Sequence, residues 1–99
     1  MQTLQTDIKK LAQECGADIC GFCDLEKSPL PQMPTFRYAV SIGVKLSDAV
    51  LKTIDNAPSF MYFQHYRAAN TVLDGIAFRI SRFLEQTGHN AFPVAASQS

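Results

Sequence analysis

The alternation of apolar and polar positions divides the chain into a series of short, distinct elements. Leu4, Ile8, Leu11, Ala12 and Cys15 recur at i, i+4, i+7, i+8 and i+11, which predicts a first helix with a single apolar stripe. Thr3 or Thr6 suits its N-cap, and Gly16 stands where a helix ends on a C-terminal glycine. Ala17 to Cys23 is a short apolar run after that stop and reads as a buried strand. Between Glu26 and Thr35 lie Pro29, Pro31 and Pro34, which forbid regular pairing and force an extended loop. Phe36 to Val44 is β-rich and nearly continuously apolar, with Arg37 and Ser41 as its polar members. It reads as a second strand, covered on both faces.

Ser47 then suits an N-cap, Asp48 suits the positive end of a helix dipole, and Ala49, Val50, Leu51 and Ile54 make a short helix. Asn56-Ala57-Pro58-Ser59 breaks it. The longest element runs from about Ser59 to Thr87. Tyr62, Tyr66, Ala69, Leu73, Ile76, Ile80, Phe83 and Thr87 alternate steps of four and three, keeping one seam toward one partner for about seven turns. Val72, Ala77 and Leu84 widen this stripe, while Arg67, Asn70, Asp74, Arg82 and Glu85 occupy the other face. Gly75 costs about 1 kcal/mol relative to Ala in a helix interior and leaves room for another backbone to approach closely. Gly88 ends the helix, and Ala91 to Ala95 reads as a last strand, placed by Pro93 at a sheet edge or end.

The expected fold is therefore α/β (α+β), in the order α-β-β-α-α-β. About three strands form a small sheet, with three helices packed on it, one of them long. So small a sheet leaves an edge that must be protected, paired with a twin chain, or covered by something else.

Length and composition narrow the classes. The 99 residues fit one domain spanning 1–99, and 46% apolar with 18% charged residues is ordinary for a globular chain. Nine basic residues balance nine acidic ones, so there is no electrostatic footprint for direct nucleic-acid binding. The N-terminus lacks a basic segment followed by an apolar run, and no apolar stretch approaches the roughly 20 residues that span a bilayer. A cytoplasmic protein without a membrane segment is expected.

Cys15, Cys20 and Cys23 suit a reducing compartment. Their C-x4-C-x2-C spacing also opens the plant-type [2Fe–2S] pattern, but that needs four thiolates and the chain has three. Cys20 and Cys23, three apart on a strand, point to opposite faces and cannot easily share a metal. Buried structural cysteines are the expectation, with a cluster completed by a partner chain as the alternative.

The candidate chemistry gathers at the start of the long helix, in Tyr62, His65, Tyr66, Arg67 and Asn70. Free N–H groups and positive potential there can receive an anionic ligand. Tyr62, Tyr66 and Asn70 are spaced by four and share a face. The competing reading makes Tyr62 and Tyr66 core residues with satisfied hydroxyls and His65 an exposed helix residue. His89 follows the helix-ending glycine as a loop residue, about 35 Å from His65, so the two cannot form one metal site within a monomer. No phosphate loop, zinc-protease motif or nucleophile elbow occurs.

Four segments, Gly16-Ala17-Asp18, Tyr38 to Val44, His65 to Asn70 and Pro93 to Gln98, together resemble the N-terminal region of the epoxyqueuosine-reductase-like iron–sulfur proteins. That broad family includes relatives of the corrinoid-dependent reductive dehalogenases. The likeness covers almost the entire chain through diffuse motifs. It implies an N-terminal α/β region that continues into a part holding [4Fe–4S] clusters. In the epoxyqueuosine reductases it also implies cobalamin and reduction of an epoxide on a tRNA nucleoside.

The cluster motifs are not in this sequence. The family's Asp-Tyr-His, whose acid the resemblance marks as a proton donor, reads His65-Tyr66-Arg67 here. The tyrosine matches and the acid does not, so no catalytic residue carries over. Two functions are expected as alternatives. One is a non-catalytic N-terminal part of an iron–sulfur oxidoreductase-like protein, lending a wall to a cofactor or substrate pocket beside its iron–sulfur part or a partner chain. The other is a stand-alone homodimeric binding module that buries the long seam against a second copy.

Overall fold

The computed structural model describes residues 2–26, 36–54 and 60–96. Helix α1 spans Gln2–Glu14, strand β1 Ile19–Asp24, strand β2 Tyr38–Gly43, helix α2 Asp48–Leu51 and helix α3 Phe60–Gln86. The Pro29–Pro34 loop and the Asn56–Ser59 break lie outside the described residues.

Both long helices end as their glycines require. Gly16 has φ +105° and Gly88 φ +94°. At α1, the Ala17 N–H donates to the Ala12 carbonyl and the Gly16 N–H to Gln13. At α3, His89 donates to Leu84 and Gly88 to Glu85. Both are Schellman turns, which satisfy last-turn carbonyls through a residue at positive φ. Since α1 starts at Gln2, Thr3 and Thr6 lie inside it and neither is its cap. Ser47 does cap α2: its side chain accepts the Val50 N–H at 3.3 Å, and Asp48 occupies the first turn.

The sheet is an antiparallel pair in which Ile19 faces Gly43, Phe22 faces Val40 and Asp24 faces Tyr38. Its far end is tied where the Leu25 N–H donates to Arg37 at 2.6 Å. Arg37 also pairs with Glu26 at 3.0 Å, an exposed bridge worth at most about 1 kcal/mol. At the near end Asp18 donates its N–H to Gly43, and its carboxylate accepts the Lys45 N–H at 2.6 Å.

One face of the sheet packs on the helices. Cys20, Phe22, Val40, Ile42 and Val44 lie against a core of Ile8, Ala12, Ala17, Ile76 and Ile80. The other face carries exposed Ile19, Cys23 and Ser41. The expectations that β1 is buried and that β2 is covered on both faces are therefore corrected: among the described residues the helices cover one face.

The third strand is also corrected. Ala91–Ala95 forms no strand and does not join the sheet. After Gly88 the chain turns back along α3, and the Ala96 N–H donates to Asp74 Oδ1 at 2.8 Å. Pro93, which lacks an N–H, weakens any ladder there. The fold remains mixed α/β, with helices on one face of a two-stranded sheet.

The radius of gyration is 15.5 Å, against about 13 Å for a compact domain of this length. The excess comes from α3, about 40 Å long at 1.5 Å per residue, whose only buried residues are Ile76, Ile80 and Ser81. No helix of the described residues is long and apolar enough to cross a membrane.

Two substitutions test this packing. A Cβ added at Gly75 meets nothing within 4 Å, so no other described backbone uses the room it leaves. Gly75→Ala should stabilise the fold by about 0.5–1 kcal/mol and raise the melting temperature by a few degrees, on the order of 2–8 °C. Ile80→Ala should cost about 2–4 kcal/mol. Thermal and urea unfolding followed by circular dichroism reads both.

Candidate functional site

The five candidate residues all lie in the first half of α3, but the helix separates them. At about 100° per residue, Tyr62 and Tyr66 are about 40° apart and Asn70 a further 40° on. His65 lies about 60° to the other side of Tyr62. Arg67 is some 200° round from His65, so one bound molecule cannot contact all five. Tyr62, Tyr66 and Asn70 form one strip and Arg67 stands on its outer flank.

The aromatic rings make a small cluster. Tyr62 stacks edge-on against Phe63, with centroids 5.8 Å apart, and lies tilted to Tyr66 at 6.1 Å. Tyr66 is exposed, as are Phe60, Met61, Phe63 and Val72 in the same half of the helix. Tyr66 is thus not a core residue here, while Tyr62 is half-buried.

His65 has a defined structural task. It is half-buried, and its Nε2 accepts the Ser47 N–H at 2.9 Å. An accepting Nε2 carries no proton, so the hydrogen of the neutral ring is on Nδ1. This bond ties the N-cap of α2 to α3. The eighteen-residue separation left the pairing invisible in the sequence, although Ser47 was legible as a cap.

The cysteines divide as the strand period requires. Cys20 is half-buried on the helix-facing side, and burial pushes its thiol up, with Lys9 acting weakly the other way. Cys23 is exposed on the opposite face, and none of the three is fully buried, so the expectation of buried cysteines is corrected. Cys15, at the end of α1, receives a long contact of 3.9 Å from Arg79 Nη1. The thiols thus converge on no shared point. Among the described residues no group of three His, Cys, Asp or Glu side chains is placed to hold a metal ion. The chain's own cysteines therefore do not fit a [4Fe–4S] cluster. Nor do the five residues enclose a hollow that a corrinoid would fill, because they project around the free side of one helix.

Concavity lies elsewhere. A groove of about 350 Å³ runs between β2, α3 and the returning segment 90–96. A second, of about 500 Å³, lies on the α1 side. The two share Phe36, Tyr38, Ala39, Val40, Leu84 and Asn90, so they adjoin along β2. None of the five candidates lines either groove. Sequence reading missed this trough. Its only local signal is Ser81, a polar residue beside the apolar seam.

Thiol labelling checks the disposition of the cysteines. Cys23 should react with a thiol reagent at least tenfold faster than Cys20, whose thiolate is disfavoured, and the difference should vanish on unfolding. His65→Ala should lower stability by about 1 kcal/mol, because it leaves the Ser47 N–H without its acceptor. Chemical denaturation measures that loss.

No protein-family model matches the chain, and no curated protein or solved structure matches it significantly.

Proposed function

We propose that this chain is a non-catalytic unit of a cytoplasmic iron–sulfur oxidoreductase-like protein, completed by a second protein region that covers the first half of α3. The carrying observation is the asymmetry of that helix. Its seam is buried at Ile76 and Ile80, yet Phe60, Met61, Phe63, Tyr66 and Val72 are exposed, Phe60 by 73%. Exposed aromatic and methionine side chains with an arginine among them have the composition of a protein interface.

The resemblance assigns the covering region the clusters. The chain's own part is steric and polar. Tyr62, Tyr66 and Asn70 form one wall at that junction, Arg67 stands at its edge, and His65 holds α2 in place behind it.

The second reading gives the same face to a second copy of the chain. The four-three spacing of the seam suits helix pairing, and a net charge of zero sets no repulsion between copies.

Sedimentation velocity and binding of an apolar dye separate the two. A unit awaiting a different partner stays monomeric at about 50 μM and binds the dye, with at least half the signal lost when Phe63 and Tyr66 are both changed to Ser. A dimer that Tyr66→Glu dissociates transfers the face to a second copy. A monomer that binds no dye overturns both readings.

A further inference from the structure

We propose that the trough beside β2 receives an extended, uncharged strand of a partner polypeptide, which pairs with the outer edge of β2. The inference rests on the reading that another protein region completes this chain, and it specifies where and in what conformation.

The first ground is the main chain. Leu25 and Arg37 face each other in the register of the sheet, and the Leu25 N–H bonds to Arg37. Hydrogen-bonded pairs alternate along an antiparallel ladder. The inward-bonding residues of β2 are therefore Ala39, Ser41 and Gly43. Tyr38, Val40 and Ile42 turn their N–H and C=O groups away from β1. Among the described residues no backbone hydrogen bond reaches them from that side. The edge also lacks the usual protection, since Tyr38–Gly43 contains no proline, no charge and no bulge.

The second ground is the shape of the trough. All five residues from Tyr38 to Ile42 line the 350 Å³ groove. Side chains alternate between faces, so consecutive lining residues mean that the groove follows the edge of the strand. Its floor is α3, at Leu73, Ala77, Ile80, Ser81 and Leu84, and its far wall is the segment 90–96. That wall is held out from β2 by the bond from Ala96 to Asp74.

The third ground is the chemistry of the lining. No charged side chain lines this groove. Ser81, 93% buried, is the polar residue of its floor. The occupant is thus uncharged and apolar at alternate positions. Strand addition of this kind draws affinity from main-chain bonds and selectivity from alternate side chains. It would also raise the sheet to three strands, the number that independent stability requires.

The stripe of α3 that floors the trough continues through Leu73 to Asn70 and Tyr66 at helical spacing. The trough therefore opens toward the strip of candidate residues at the other half of the helix.

A capped nine-residue peptide copying Phe36 to Val44, with glutamine at the position copying Arg37 so that it carries no charge, serves as the probe. Paired antiparallel about Val40, it sets Tyr38 of the peptide opposite Ile42 of β2 and Val40 opposite Val40, both favourable cross-strand pairs. Titration into the full chain, followed by amide exchange in nuclear magnetic resonance, should show saturable binding. The amides of Tyr38, Val40 and Ile42 should slow at least tenfold, and those of Ala39 and Ser41 should not change.

N-methylation of the peptide at the positions copying Tyr38, Val40 and Ile42 should abolish binding, while methylation at Ala39 and Ser41 should preserve it. Ser81→Leu, which fills the floor, should block binding while the circular dichroism spectrum is retained. Absence of binding at millimolar peptide overturns the proposal, and so does binding indifferent to which amides are methylated, which marks simple apolar adsorption or a small-molecule pocket. Neither result touches the dye and sedimentation test of the α3 face, so the two readings fail separately.

Discussion

The contact of Ile76 and Ile80 on α3 with Ile8 and Ala12 on α1, closed over by one face of the sheet, holds everything else in place. Neither part stands without it. A lone antiparallel pair of strands is marginal in water, and so is an isolated helix of 13 residues. Ala12 is fully buried, and its single methyl lets the helices approach closely. Phe22, Val40 and Ile42 then find an apolar floor. The Schellman turn at Gly16 delivers the chain from α1 directly into this core, since Ala17, the residue after it, is itself buried.

That core is small, and the molecule is correspondingly uneven. Among the described residues six apolar side chains are buried, while a helix of 27 residues passes over them and continues. Two of the uncovered surfaces are extended. One is the aromatic end of α3, the other the trough along β2, and a single stripe of α3 from Tyr66 through Asn70, Ala77 and Ser81 to Leu84 connects them. A partner that occupied the trough would lead toward the aromatic patch.

Local signals in the sequence were strong wherever the constraint itself was local. Gly16, Gly88 and Ser47 marked turns and a cap that depend only on neighbouring residues, and the periodicities of α1 and α3 followed from burial on one side. Long-range consequences were not legible. The apolar run Ala91–Ala95 reads as a strand by composition, yet whether it pairs depends on the distance to β2, which the Asp74 tether sets. Tyr66 lies on the seam as surely as Ile80 does, but the seam is longer than the core it serves. His65 looked like surface chemistry and is a tie to Ser47, because its partner stands on a different element. Ser81 carried no motif at all, and its importance comes only from being polar at the bottom of an apolar groove.

The continuity of α3 has a consequence for the chain inside a cell. Its two halves belong to one hydrogen-bonded rod, so occupation of the free half by any ligand that binds only the folded state adds to the stability of the buried half. On the proposed reading, with a core this thin, the folded fraction would rise with the concentration of a partner that covers that half. Chains in excess of it would be the ones that open and meet proteases, so that the abundance of this protein would follow that of its partner.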